Sequence, residues 1–280
     1  MGSNDDSRNV SRRAVLRASG GAFGIGGLGS AWTSDDGRTT VTQRCPDGTL
    51  EPNVVQYARA GAASCADDHP ATRDLQHRVR ESLEARYPTV GSLLDQGYVP
   101  YFDFMTAEGE TGWSHWLNPE FVADDAVMDP DRPEAVLVDH RWWRPIGVMF
   151  TATRNGDRID SPSAVYGDEQ TEHRCVPWHA HVGVPGRYAW WKFRLLSGER
   201  TDGETPRFPC RTPWVMHVWT YPHPESVYAH HAPPRGNRGG PPAEPAGFET
   251  DAVPGEDDLD WSVLPDAFLH HVARQRRGGQ

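Results

Sequence analysis

The sequence predicts a mainly β protein, a β-sandwich or a cupin-like barrel, with an N-terminal helix and a proline- and glycine-rich C-terminal arm. Between residues 98 and 231, short runs rich in valine, tryptophan, tyrosine and phenylalanine alternate with proline, glycine, asparagine and aspartate. No helical pattern separates these runs, which favours a sandwich or small barrel over a parallel sheet. The predicted strands are residues 98–104, 134–138, 145–153, 176–184, 188–195, 213–221 and 226–229.

Helical periodicity is confined to the segment before these runs. Apolar side chains recur three or four positions apart between Pro70 and Pro88, which predicts one amphipathic helix on Leu75, Val79, Leu83 and Tyr87. A second, shorter helix is predicted over residues 90–96.

Changes in composition divide the chain into five segments. We assign a signal peptide, an N-terminal polar and helical segment, a β domain that carries the metal site, a proline- and glycine-rich linker or wrapping arm, and a short C-terminal helix with its tail. These segments are residues 1–31, 32–97, 98–231, 232–258 and 259–280.

The N-terminus carries a signal for export. The pair Arg12-Arg13 stands just ahead of a weakly apolar, glycine-rich run, a pattern typical of the twin-arginine route. Cleavage after Ala31 would leave a mature protein without a membrane span. We therefore expect the twin-arginine machinery to export the folded chain, which makes the protein extracellular or places it at the cell surface.

The charge balance is acidic, with 39 aspartates and glutamates against 28 lysines and arginines, and Lys192 is the only lysine. This balance argues against nucleic acid as a partner. The acidic surplus with almost no lysine resembles proteins of salt-loving archaea.

The chain has four cysteines, and an exported protein meets an oxidising compartment, so two disulfides are expected. Three connectivities are open. We favour Cys45 with Cys65 and Cys175 with Cys210, because each bond closes a short loop. The alternative of thiolate metal ligands lacks a C-x-x-C pair.

The residues with the clearest chemistry are histidines in strand-like runs. Strand alternation puts His179 and His181 on one face, about 6 to 7 Å apart, where both can bind one metal ion. His217 lies in another strand-forming run, and His115 lies between two tryptophans. We predict a mononuclear site for copper, zinc or iron that uses His179, His181 and His217, with His115 or a carboxylate as a fourth ligand.

Other side chains leave alternatives open. A carboxylate ligand or general base could come from Glu120, Glu169 or Glu172. The remaining histidines lie in loops and are expected to be solvated: His173, His223, His230 and His231. Of these, the adjacent pair His230-His231 could bind a metal ion adventitiously.

Several enzyme classes lose support because their motifs are missing. The sequence has no G-x-S-x-G elbow, no H-E-x-x-H and no glycine-rich phosphate loop, and we therefore expect no nucleotide cofactor. Whether the protein is an enzyme stays open. The alternative hypothesis is a non-catalytic extracytoplasmic binding or surface protein with structural histidines and a tryptophan-lined groove.

Residues 112–122, 129–138, 216–219 and 226–229 together resemble a family of exported bacterial and archaeal proteins. The shared pattern is His-Tyr-x-Asn-Pro, then Asp-Pro-x-x-Pro-Glu-Ala-Leu, then His-Val-Trp, and the similarity covers residues 98–234. The family has no established activity. The resemblance implies that His115 and His217 are special positions, although His223-Pro224 departs from the family's usual Asn-Pro.

Overall fold

The computed structural model describes residues 45–52, 54–59, 65–101, 112–168, 173–196, 206–241, 245–266 and 268, all within the unit Arg44–Gln280. The twin-arginine motif lies outside the described residues. Within them the strands are β1 (Val55–Tyr57), β2 (Val99–Tyr101), β3 (Trp113–Leu117), β4 (Ala135–Asp139), β5 (Arg144–Thr151), β6 (Thr153–Arg154), β7 (Asp157–Arg158), β8 (His179–His181) and β9 (Val215–Trp219). The helices are α1 (Pro70–Arg86), α2 (Val90–Asp95), α3 (Pro119–Val122) and α4 (Val184–Leu196), and a 3-10 turn covers Arg235–Asn237.

One antiparallel sheet organises the molecule, which confirms the predicted mainly β fold. Its seven strands follow the order β1-β8-β9-β5-β4-β3-β2, and β6 with β7 forms a separate small hairpin. This arrangement is compatible with a β-sandwich. No pairing among the described strands joins β1 to β2, so a closed, cupin-like barrel stays a prediction.

The first face of the sheet carries the larger core. Helices α1 and α2 pack there, as the spacing of Leu75, Val79 and Leu83 predicts, and all three side chains are buried. Residues at alternate strand positions fill this core from the sheet side, among them Trp116, Val136, Phe150, Ala180, Met216 and Val218.

The second face is covered by α4, where the sequence predicts a strand over residues 188–195. That prediction is wrong. Large aromatic residues favour strands, but Trp190 and Phe193 are spaced three apart on a helix and are buried in the same apolar core as Val215 and Leu137. Tertiary packing therefore overrides the local preference of these side chains.

The chain folds back on itself after β9, where a strand over residues 226–229 is predicted. That prediction is also wrong. Trp219 donates from its backbone N–H to Val227 over 2.9 Å, and Ala229 donates to Ser226 over 3.1 Å, which closes a turn. We call residues 222–231 the return loop.

The proline- and glycine-rich segment wraps the domain where the structure describes it. Gly91 donates to the carbonyl of Ala246 over 2.7 Å, and the Trp143 indole donates to Asp257 over 2.9 Å. Leu259, directly after this segment, is fully buried. The predicted C-terminal helix lies mostly outside the described residues.

Two disulfides form, but the predicted connectivity is wrong. Cys45 pairs with Cys210 and Cys65 with Cys175, so the bonds span 165 and 110 positions of sequence. Antiparallel pairing of β1 with β8 brings the chain after β1, with Cys65, next to the chain before β8, with Cys175. The Arg187 side chain donates to the carbonyls of Thr49 and Pro209, which ties the segment of Cys45 to that of Cys210. Two disulfides suit an oxidising, extracytoplasmic environment.

None of the helices in the described residues combines the length and the apolar character that crossing a membrane requires.

Candidate metal centre

The H-x-H segment forms β8, and its histidines point to one side as predicted. Ala180 packs into the core on the first face, so strand alternation directs His179 and His181 to the second face. His179 is fully buried and His181 is half-buried. Strand β1 lies beside them, with Tyr57 opposite His179 and Val55 opposite His181.

His217 on β9 and His115 on β3 reach the same place from opposite parts of the sheet. Two strands, β5 and β4, lie between β9 and β3, which would separate them by about 14 Å in a flat sheet. Their Nε2 atoms nevertheless lie 3.3 Å apart. The short contact indicates that the twisted sheet is concave on this face.

The return loop adds His230, which is predicted from the sequence to be solvated. The His217 Nδ1–H donates to the carbonyl of His230 over 2.9 Å, and the Trp219 indole donates to the carbonyl of Ala229 over 2.8 Å. Asp67 accepts the backbone N–H of Val227 from the other side. These bonds fix the backbone of His230, and its ring centroid lies 4.8 Å from that of His179.

Three imidazoles converge closely enough to bind one metal ion. His179, His181 and His230 each offer a ring nitrogen, and these nitrogens lie within 4.8 Å of one another. We call these three residues the histidine triad. It is the only such group of three or more histidines, cysteines or carboxylates among the described residues.

His179 provides the strongest argument for a ligand role. Both of its ring nitrogens are buried, and neither has a hydrogen-bond partner among the described residues. A buried polar group without a partner costs about 1–3 kcal/mol. A metal ion bound to one nitrogen would remove part of that cost, whereas a purely structural histidine would be expected to find a backbone partner.

Burial favours the neutral form of three imidazoles in this region, His179, His217 and His230. Burial lowers the pKa of His179 well below its ordinary value, and the neighbouring imidazoles, His230 first, lower it further. Burial is also the main cause that lowers the pKa of His217 and of His230. Neutral imidazoles keep a lone pair on one ring nitrogen, which is the form that binds a metal.

Helix α4 determines where His181 can lie. A Cβ atom on Gly186 would come 2.5 Å from the Cβ of His181, so only glycine lets the helix pass at this distance. The backbone N–H of His181 donates to the Thr212 hydroxyl over 2.9 Å, and its carbonyl accepts from Thr212 over 3.1 Å. The third side chain of the triad is therefore held from two directions.

Aromatic rings enclose the triad and its neighbours His115 and His217, and we call these five histidines the cluster. The Trp113 ring lies 4.9 Å from His115 and 5.9 Å from His217, and it packs edge-on against Trp219. Tyr57 lies 5.9 Å from His179 and is 42% exposed, so it borders the cluster on the solvent side.

The structure brings all four predicted histidines into one cluster and adds a fifth. The sequence marks His230 only as part of the adjacent pair His230-His231 and as the residue directly after the apolar run Val227-Tyr228-Ala229. The shared four-histidine site stays a prediction, because the triad contains two of the four. Among the carboxylates, Glu120 is exposed on α3, and Glu169 and Glu172 lie outside the described residues.

Comparison with known proteins gives no relative, since no family model, curated protein or solved structure matches this chain. The site itself is therefore the basis for assigning a function. That site is a group of fully or partly buried imidazoles in a disulfide-bonded β protein, with ring nitrogens placed to hold a metal ion.

Proposed function

We propose that this chain is an exported protein that binds a transition-metal ion at the histidine triad. The observation that carries the proposal is His179, whose ring is fully buried and whose two nitrogens lack hydrogen-bond partners among the described residues. The ring nitrogens of His181 and His230 lie within 4.8 Å of it.

The ligand chemistry supports copper, zinc or iron. Neutral imidazole suits each of these ions, whereas magnesium and calcium prefer oxygen ligands. Copper(II) binds most tightly of the divalent first-row ions at a given set of nitrogen ligands. We therefore expect the affinity to be highest for copper, with zinc as the next strongest candidate.

Three protein ligands leave at least one position of the ion open. A metal ion with an open position supplies a Lewis acid that lowers the pKa of a bound water molecule. Tyr57 borders the triad towards solvent, and Trp113 and Trp219 pack against His217, whose ring lies 5.2 Å from that of His179.

Export rests on two independent features. The Arg12-Arg13 pair with its glycine-rich run supports the twin-arginine route, and the two disulfides suit the oxidising compartment outside the cytoplasm. The resemblance to exported bacterial and archaeal proteins agrees with this location.

The test is metal content of the purified mature protein after loading with copper(II) or zinc(II) and extensive dialysis. We expect His179→Ala and His230→Ala each to lower the content by at least one ion per chain. His77→Ala is the matched control, because the His77 side chain is 65% exposed on α1. Near-ultraviolet circular dichroism shows whether each variant keeps its tertiary packing.

Two results would contradict the proposal. One is a wild-type protein that binds neither ion, which would favour the alternative of structural histidines in a non-catalytic binding protein. The other is a folded His179→Ala variant that keeps the full metal content and affinity of the wild type.

A further inference from the structure

The cluster contains more imidazoles than one ion needs. Five rings lie side by side, and a tetrahedral ion takes four ligands. The triad groups three of them, whereas His115 and His217 fall outside it and contact each other through their Nε2 atoms. The five histidines thus divide into a group of three and a pair.

The spacing within the pair matches that of two ligands on one ion. Metal–nitrogen bonds of about 2.0–2.1 Å in tetrahedral geometry put the two nitrogens about 3.3–3.4 Å apart. The Nε2 atoms of His115 and His217 are 3.3 Å apart. That distance is long for a hydrogen bond, where donor and acceptor usually lie about 2.7–3.2 Å apart.

The tautomer of His217 also supports a metal-ligand role for the pair. Its Nδ1 carries a hydrogen, because that atom donates to the carbonyl of His230 over 2.9 Å. The Nε2 of neutral His217 therefore has a lone pair, and it faces His115. A backbone hydrogen bond on the far nitrogen is the usual way in which proteins orient a metal-binding histidine.

The pair is also buried and close to the triad. His115 is 9% exposed and His217 is 1% exposed, and the Trp113 ring contacts both. The ring centroid of His217 lies 5.2 Å from that of His179 and 6.0 Å from that of His230. A cation held by the pair would be the direct neighbour of one held by the triad.

We propose that His115 and His217 hold a second transition-metal ion, which makes the cluster a two-ion centre. This inference rests on the proposed function, since it needs an ion at the triad. Two protein ligands leave positions that water or hydroxide must fill. A histidine that binds a metal ion through one ring nitrogen is neutral, so a hydroxide shared by both ions offsets their repulsion, and the class of substrate that can replace it is a small anion or a molecule with a coordinating oxygen.

The test counts ions and measures their coupling with copper(II) as the probe. We expect the wild type to bind two copper ions per chain, and His115→Ala and His179→Ala to bind one each. Two neighbouring copper(II) ions bridged by hydroxide couple their spins, so the electron paramagnetic resonance signal of the wild type should integrate to less than its copper content. In His115→Ala the signal should account for all of the bound copper.

The variant His115→Gln distinguishes a metal-ligand role of His115 from a hydrogen-bonding role. Glutamine can still donate an N–H to the Nε2 of His217, but it is a poor ligand for copper. We expect His115→Gln to bind one ion. If His115 only formed a hydrogen bond, His115→Gln would still bind two ions.

Each remaining outcome is decisive. Saturation of the wild type at one ion, or two ions in folded His115→Ala, overturns the two-ion centre and leaves the triad proposal standing. A wild type that binds no ion overturns both proposals.

Discussion

Gly186 offers the sharpest test of the site, because the substitution Gly186→Ala adds a single methyl group next to a ligand. The new Cβ would lie 2.5 Å from the Cβ and 2.7 Å from the Cγ of His181. Carbon atoms in contact lie about 3.5–4.0 Å apart, so the helix and the strand must separate by about 1 Å. No rotamer of His181 relieves this, because its Cβ is attached to the backbone.

The displacement is large for a metal site and small for the fold. Metal–ligand distances tolerate about 0.2 Å, so a shift of about 1 Å removes His181 from the triad. Disturbing an outer contact of a ligand costs about 10–100-fold in affinity, and losing the ligand itself should cost at least about 100-fold. Overpacking costs about 1–3 kcal/mol of folding stability, and the better helix propensity of alanine offsets up to about 1 kcal/mol of it.

The assay is a competition titration of copper(II) or zinc(II) against a coloured chelator, together with thermal unfolding of the metal-free protein. Gly236→Ala is the matched control, because nothing lies within 4 Å of a Cβ at that position. Wild-type affinity in folded Gly186→Ala would refute the assignment of His181 as a ligand held by α4.

Three further predictions address the scaffold, its charge and its export. Mass spectrometry without reductant should find Cys45 linked to Cys210 and Cys65 linked to Cys175, and a peptide that links Cys175 to Cys210 would contradict the fold. Replacing both Cys65 and Cys175 by serine should lower the free energy of unfolding by about 2–5 kcal/mol. Burial lowers the pKa of His179 and His217, so below about pH 6.5 the unfolded chain binds protons at these two side chains that the native state does not bind. As the pH falls further, the free energy of unfolding of the metal-free protein should decrease by up to about 1.4 kcal/mol per pH unit for each of them. Denaturant titrations that give equal stability at pH 7.5 and 5.5 would rule this out. Lysine in place of both Arg12 and Arg13 should leave the protein in the cytoplasm, because the twin-arginine route recognises guanidinium groups. Cell fractionation that still finds this variant outside the cytoplasm would refute the assignment of the signal.

The sequence alone determined the features that depend on near neighbours in the chain. The spacing of Leu75, Val79 and Leu83 predicts α1, and strand alternation predicts that His179 and His181 share a face; the structure confirms both. It also confirms the mainly β class and the presence of two disulfides. Periodicity is reliable here because burial on one face of a helix or strand imposes it directly.

Contacts between residues far apart in the chain depend on the three-dimensional fold. His115 contacts His217 because the sheet curls across four strands, and His230 joins the triad because hydrogen bonds from His217 and Trp219 fold the return loop over β9. The Cys65–Cys175 pairing follows from the antiparallel register of β1 with β8, and the aromatic segment before residue 196 forms helix α4, whose Trp190 and Phe193 join the core of the second face. Such contacts depend on the order and curvature of the strands, which no local pattern in this chain encodes.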